Sequence, residues 1–186
     1  MNTDTHAPTS RTRLARAAST GAVAGVIGSL MMAAYAMLAA ATYQGSGFFT
    51  PLHHIASVFI SPADMMSSME SATMGGSNFE FFAGAALVGA LVHMMVGAMY
   101  GVGFGVLAVL AKIRGMALVA AAVVWGGLVF VISSFVGLPL AAVIFDSGDQ
   151  ITNMAELVGY GTFLVEHLVF GLFLGLILLM GAKRAH

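Results

Sequence analysis

Four stretches of this chain, at about 21–43, 81–111, 116–138 and 155–180, run on with almost nothing that water would solvate. Tyrosines aside, their only ionisable side chains are His93, Glu156, Glu166 and His167. About 20 apolar residues rising 1.5 Å each cross a hydrocarbon core about 30 Å thick, so each run is long enough to span a bilayer. The chain is 59% hydrophobic and 8% charged, against about 25% charged in an average soluble domain. That leaves too little polar surface to wrap a water-soluble core. The expected fold is an all-α integral membrane protein, a four-transmembrane-helix bundle forming one membrane domain over 17–186. A disordered tail over 1–16 precedes it, and outer loops lie at 44–80 and 139–154.

Arginines precede the first run, and Ala39–Ala40–Ala41 resembles a signal-peptide cleavage site. The run exceeds the roughly 7–15 residues of a secretory h-region, so a retained anchor is expected. The longest break carries Thr50–Pro51–Leu52–His53–His54, then Pro62, placed to open a short interfacial helix bearing Met65, Met66, Met69 and Met74. Gly75–Gly76 would close it. Ser77 with Glu80, and Asn153 with Glu156, stand at capping-box spacing before the second and fourth spans. Pro139 is expected to end the third span.

All seven Lys and Arg lie in the N-terminal tail, at 112–114 or in the C-terminal tail, whereas Asp64, Glu70, Glu80, Asp146, Asp149 and Glu156 lie in or beside the two outer loops. The positive-inside rule then places both termini in the cytoplasm, in a bacterial-type inner (plasma) membrane. The halves also read alike. Each has a span, a Pro-Leu (Pro51–Leu52, Pro139–Leu140), an outer loop, and a helix with HxxxGxxxG. Such halves would be parallel two-helix repeats.

The second span places Gly89, His93, Gly97, Gly101 and Gly105 four residues apart on one helical face, and the fourth echoes it with Gly159, Phe163, His167, Gly171 and Gly175. Glycines at this spacing, with Gly21, Gly25, Ser29 and Ala33 on the first span, mark helix–helix packing faces. His93 and His167 would sit near the midplane at matching depth, beside Glu166, where an ionisable group calls for a partner, a cavity or a ligand. Three readings stay open: internal hydrogen bonding across a packing seam, a haem or copper or zinc centre on the imidazoles, and a proton or cation path. Two imidazoles on neighbouring helices resemble transmembrane b-type cytochromes in outline. Met95 and Met99 beside Gly97 and Gly101 are similar to the MxxxM and GxxxG pairing of high-affinity copper importers. At 100° per residue, however, Met95 points about 200° and Met99 about 240° from His93, so the two sets are expected on different faces with different roles.

His53 and His54 are a possible metal entry point, although adjacent helical residues diverge by about 100° and would not chelate one ion. Soft ligands on the Met65–Met74 segment, with Asp64 and Glu70, could recruit Cu(I), or the segment could simply rest on the bilayer. His6 and His186 lie in the tails. The chain has no cysteine, which excludes disulfides and thiolate metal sites. It lacks HExxH, GxxxxGK[ST] and GxSxG, and Ser133–Ser134 has no base nearby in sequence. No basic patch points to nucleic acid. The expected function is a non-enzymatic binding or accessory subunit, in a homo-oligomer or larger membrane complex, with a His93/His167/Glu166 centre that could hold a redox metal or haem. A small transporter of protons or copper, and a purely structural subunit, are the alternatives.

Overall fold

The computed structural model describes residues 10–184; His6 and His186 and the first nine tail residues lie outside them. The described chain is helices and the turns between them: α1 (Ser10–Ala41), α2 (Thr50–Ala56), α3 (Ala63–Thr73), α4 (Ala83–Leu110), α5 (Met116–Ile132), α6 (Leu138–Phe145), α7 (Asp149–Thr152), α8 (Met154–Val158) and α9 (Tyr160–Arg184). Four helices are long and apolar enough to cross a membrane: Ser10–Ala41, Ala83–Leu110, Met116–Phe145 and Tyr160–Ala182. Large apolar side chains cover their outward faces, Val124 being 73% and Val143 80% exposed. These features mark a multi-pass membrane protein.

Several boundaries differ from expectation, each for a local reason. α1 begins at Ser10, so residues 10–16 are its first turns rather than part of a tail. The third span does not stop at Pro139. Residues 133–137 widen into a π-turn, in which the Leu138 N–H reaches the Ser133 carbonyl, and the helix continues as α6. Proline removes one N–H and crowds the carbonyl four residues back, and a π-turn is one way a helix absorbs both. The real stop is Asp146, in the left-handed region at φ 51°. The fourth span begins at Tyr160 rather than Ala155, because Gly159 at φ 86° separates α8 from α9. Neither capping box forms. No side chain caps α8, and the Phe82 N–H ahead of α4 donates to His53 Nε2 at 3.4 Å instead.

Glycine sets the arrangement of the long helices. α1 and α4 run antiparallel with backbones in contact: a Cβ at Gly21 would collide with the Gly101 carbonyl, and one at Gly25 with that of Gly97. Gly105 meets Ala17 in the same way. α5 and α9 repeat the device, Gly171 lying on Ala122 and Gly175 on Val119, with Gly126 against the His167 carbonyl. Phe170 of α9 lies over Gly28, joining the two pairs through α1. Gly89, on the same face as Gly97, meets the Leu52 carbonyl of α2 rather than α1. The order across the molecule is therefore α4, α1, α9, α5. α4 and α5 share only the turn that connects them and a sparse contact beside it.

Two apolar plugs close the ends of this arrangement. One joins Ala24, Phe104, Ala108, Leu118, Ala122, Phe170 and Leu174, backed by Trp125, near the end bearing Arg16, Lys112 and Arg114. The other joins Val58, Ala142, Ile151 and Met154 at the end bearing α2, α3, α7 and α8.

The seam gives the first prediction. Gly97→Val should destabilise the protein by about 1–3 kcal/mol, the usual cost of overpacking. Gly84→Ala, where a methyl group meets nothing, should stay within about 0.5 kcal/mol of wild type. Reversible unfolding in mixed micelles measures both, and equal effects at the two positions would contradict the packing described.

Candidate functional site

Because α4 and α5 hardly touch, a cleft remains between them, with α1 and α9 as its back wall. The cavity measures about 890 Å³, within the roughly 300–1,000 Å³ of small-molecule sites. α2 and α3 roof it at one end and the Phe104–Trp125 plug floors it at the other. Met32, Met65, Met66, Met69, Met95, Met99 and Met154 all border it. Thioether side chains are flexible and polarisable, and such walls adapt to ligands of varied shape.

Tyrosine aside, three ionisable side chains from the spans line this cavity: His93, Glu166 and His167. His93 stands one turn before Gly97, on the α1 seam, and its Nε2–H donates to the Ser29 carbonyl at 2.9 Å. His167 stands one turn before Gly171, against α5. Its Nδ1–H donates to the Phe163 carbonyl at 2.7 Å, and its ring packs edge-on against Phe163 and Phe130 at 4.5 and 6.0 Å. A carbonyl oxygen only accepts, so these bonds decide both tautomers. His93 Nδ1 and His167 Nε2 are left as acceptors. Glu166 is 5% exposed, and no hydrogen bond or ion pair to its carboxyl group occurs among the described residues.

The buried polar side-chain atoms without a partner that are wholly sealed from solvent are His53 Nδ1, Trp125 Nε1, Ser134 Oγ and Ser147 Oγ. The free atoms of His93, Glu166 and His167 are not among them. All three residues line the cleft, and His93 also borders a smaller cavity with Leu30, Met37 and Met94.

His93, Glu166 and His167, expected to form one centre, line one cavity, and His53 stands apart from it. Among the described residues no three His, Asp or Glu side chains converge as a metal would require. His93 also spends its Nε2, the usual haem-facing atom, on Ser29. The described residues thus give no support to a three-ligand metal centre. His53 and His54 are both in α2 and part company. His53, 1% exposed, serves the start of α4 through Phe82, whereas His54 lines the cavity and its Nε2–H donates to the Gln150 carbonyl of α7 at 2.8 Å. Met95 and Met99, expected on a face apart from His93, border the same cavity, because nothing packs on that side of α4 to separate them.

Sequence reading missed α2 as a helix, although Pro51 in its first turn is a standard opening signal. It also missed Gln44, whose Nε2 donates to the Val158 carbonyl at 2.7 Å and ties the end of α1 to α8. No sequence signal marks that contact. Tyr43 similarly bridges Tyr35 at 3.3 Å and Thr162 at 3.1 Å beside the cavity. No family model matches the chain, and no curated protein or solved structure is significantly similar to it.

The α2 histidines lie outside the four spans, and burial holds both rings below the ordinary histidine range. Asp64 and Glu80 pull His53 partly back, and the bond to Gln150 does so for His54. The folded protein keeps them neutral where an unfolded chain, titrating near about 6.5, takes up protons. The α2 packing is therefore fully present above about pH 6.5 and is lost as pH falls through the depressed folded values. Hydrogen exchange, corrected for its intrinsic pH dependence, should show α2 and α7 opening more at pH 5.5 than at 7.5. His53→Asn/His54→Gln should flatten that difference, and equal protection of the wild type at both values would contradict it.

Proposed function

We propose that this protein is a membrane-embedded binding protein, and that the cleft between α4 and α5 holds a small hydrophobic molecule. The observation that carries the reading is one carboxyl group. Glu166, nearly buried and without a partner, faces an apolar cavity of ligand size. An ionisable side chain on a membrane span is costly unless a partner, water or a ligand compensates it. Here the protein supplies no partner, and the walls are mostly methionine, leucine, valine and phenylalanine.

The same arrangement gives no support to a bound copper or haem. The redox-subunit reading therefore gives way to ligand binding at the same centre. Ion conduction is likewise not favoured, because the plug between the cavity and the basic end is built of apolar side chains. Following the positive-inside rule, we place the basic end, with both termini, on the cytoplasmic side of a plasma membrane. The roofed end of the cleft then lies toward the outer surface. The recurrence of the glycine seam in α1–α4 and α5–α9 supports descent from a doubled two-helix unit, with the π-turn and the longer first loop as later divergence.

Native mass spectrometry of protein extracted from its membranes tests the reading. Wild type should retain a bound amphiphile, and Ala141→Trp, which fills the cleft from α6, should lose it while keeping its thermal stability within a few degrees. An identical bound species in both proteins would contradict the assignment.

A further inference from the structure

The cleft offers a ligand acceptors and very few donors. Besides the Glu166 carboxyl group, its free polar atoms include His93 Nδ1, His167 Nε2 and Gln44 Oε1, since the other ring nitrogen of each histidine donates to a carbonyl, as does one of the two Gln44 amide N–H groups. The Ser29 hydroxyl is likewise committed to the Val26 carbonyl at 2.8 Å. No lysine or arginine lines the cavity. Ser46, Tyr100 and Ser133 supply the hydroxyl donors that remain, beside the second Gln44 N–H.

An anionic amphiphile would bring its charge into a cleft with no cation to answer it. A ligand made only of acceptors would leave both sides unpaired. A quaternary ammonium would satisfy the charge but bring no N–H to the imidazoles. A protonated primary amine brings one positive charge and three N–H donors on one atom, matched to a carboxylate and neutral imidazole acceptors. Its alkyl chain would lie along the methionine-rich walls.

Resting on the binding reading above, we propose that the cleft selects a hydrophobic primary amine, whose ammonium group is held by Glu166, with His167 and His93 lining the same cleft as further acceptors, while its tail occupies the space between α4 and α5. Charge gives the sign of the ligand, and the hydrogen-bond inventory gives its substitution.

The test uses full-length protein in nanodiscs and three probes of one chain length: dodecylamine, dodecyltrimethylammonium and dodecanoate. Isotherms are corrected against empty nanodiscs. Dodecylamine should bind saturably, about tenfold or more tighter than the trimethyl analogue, a difference of about 1.4 kcal/mol, and dodecanoate should not saturate. Glu166→Gln should weaken the amine about tenfold or more, and so should His167→Phe, which keeps the ring shape without the acceptor. Either variant suffices if the other does not fold.

Equal binding of dodecanoate, or amine binding unchanged in both variants, would overturn the amine assignment. If Ala141→Trp still blocks that binding, the cleft remains a binding site for another class of amphiphile. If no probe saturates and Ala141→Trp behaves as wild type, the amine assignment and the binding reading fall together.

Discussion

Everything in this fold depends on how closely α1 approaches its neighbours. Glycines on α1 and α4 bring two backbones into contact along three turns, and Phe170 over Gly28 seats α9 on another side of the same helix. With α1 occupying the middle, α4 and α5 are held apart although a short turn joins them. In a membrane, where apolar surface gains little by leaving lipid, helices associate through such close packing rather than through burial of oily faces. The gap left between α4 and α5 is therefore a stable part of the fold and not a failure of packing.

What fills the gap's walls follows from the same geometry. His93 and His167 each stand one turn before a seam glycine, so each ring lies at the edge of a helix contact. One nitrogen reaches a carbonyl, and both residues line the cavity. Glu166, one residue from His167, also lines the cavity but gains no such bond among the described residues. On insertion scales a charged side chain at mid-helix costs about 2.5–3.5 kcal/mol. A cost of that size without a structural return is the physical reason for assigning Glu166 to a ligand. The adjoining histidines, by contrast, are half satisfied and would remain in place for packing alone.

Much of this was legible in the chain, and the reason is periodicity. Four apolar runs, the four-residue glycine spacing and the segregation of lysine and arginine are one-dimensional signals of helices, seams and ends. The position of His93 and His167 one turn before a seam glycine could be read by counting residues. Other features depend on distant segments meeting. Pro139 reads as a stop until a π-turn is available to absorb it, and Ser77–Glu80 reads as a cap until His53 takes over the start of α4. The separation of the His93 and Met95–Met99 faces was sound as helix geometry. It did not separate their surroundings, because a helix with an open side exposes both faces to one cleft. The cleft itself is an absence of contact between α4 and α5, and no local pattern encodes an absence.

The central claim is that the Glu166 carboxyl group is unpaired and reachable through an apolar opening. An apolar carbodiimide tests it most directly, since the reagent partitions into the membrane and reacts with carboxyl groups there. Protein in vesicles should acquire one adduct at Glu166, located by peptide mass spectrometry, and a water-soluble carbodiimide should leave that residue unmodified. Filling the cleft through Ala141→Trp should slow the apolar reagent. A Glu166 that stays unmodified by the apolar reagent, while Asp and Glu of the loops react, would show the group to be sealed or paired and would contradict the account.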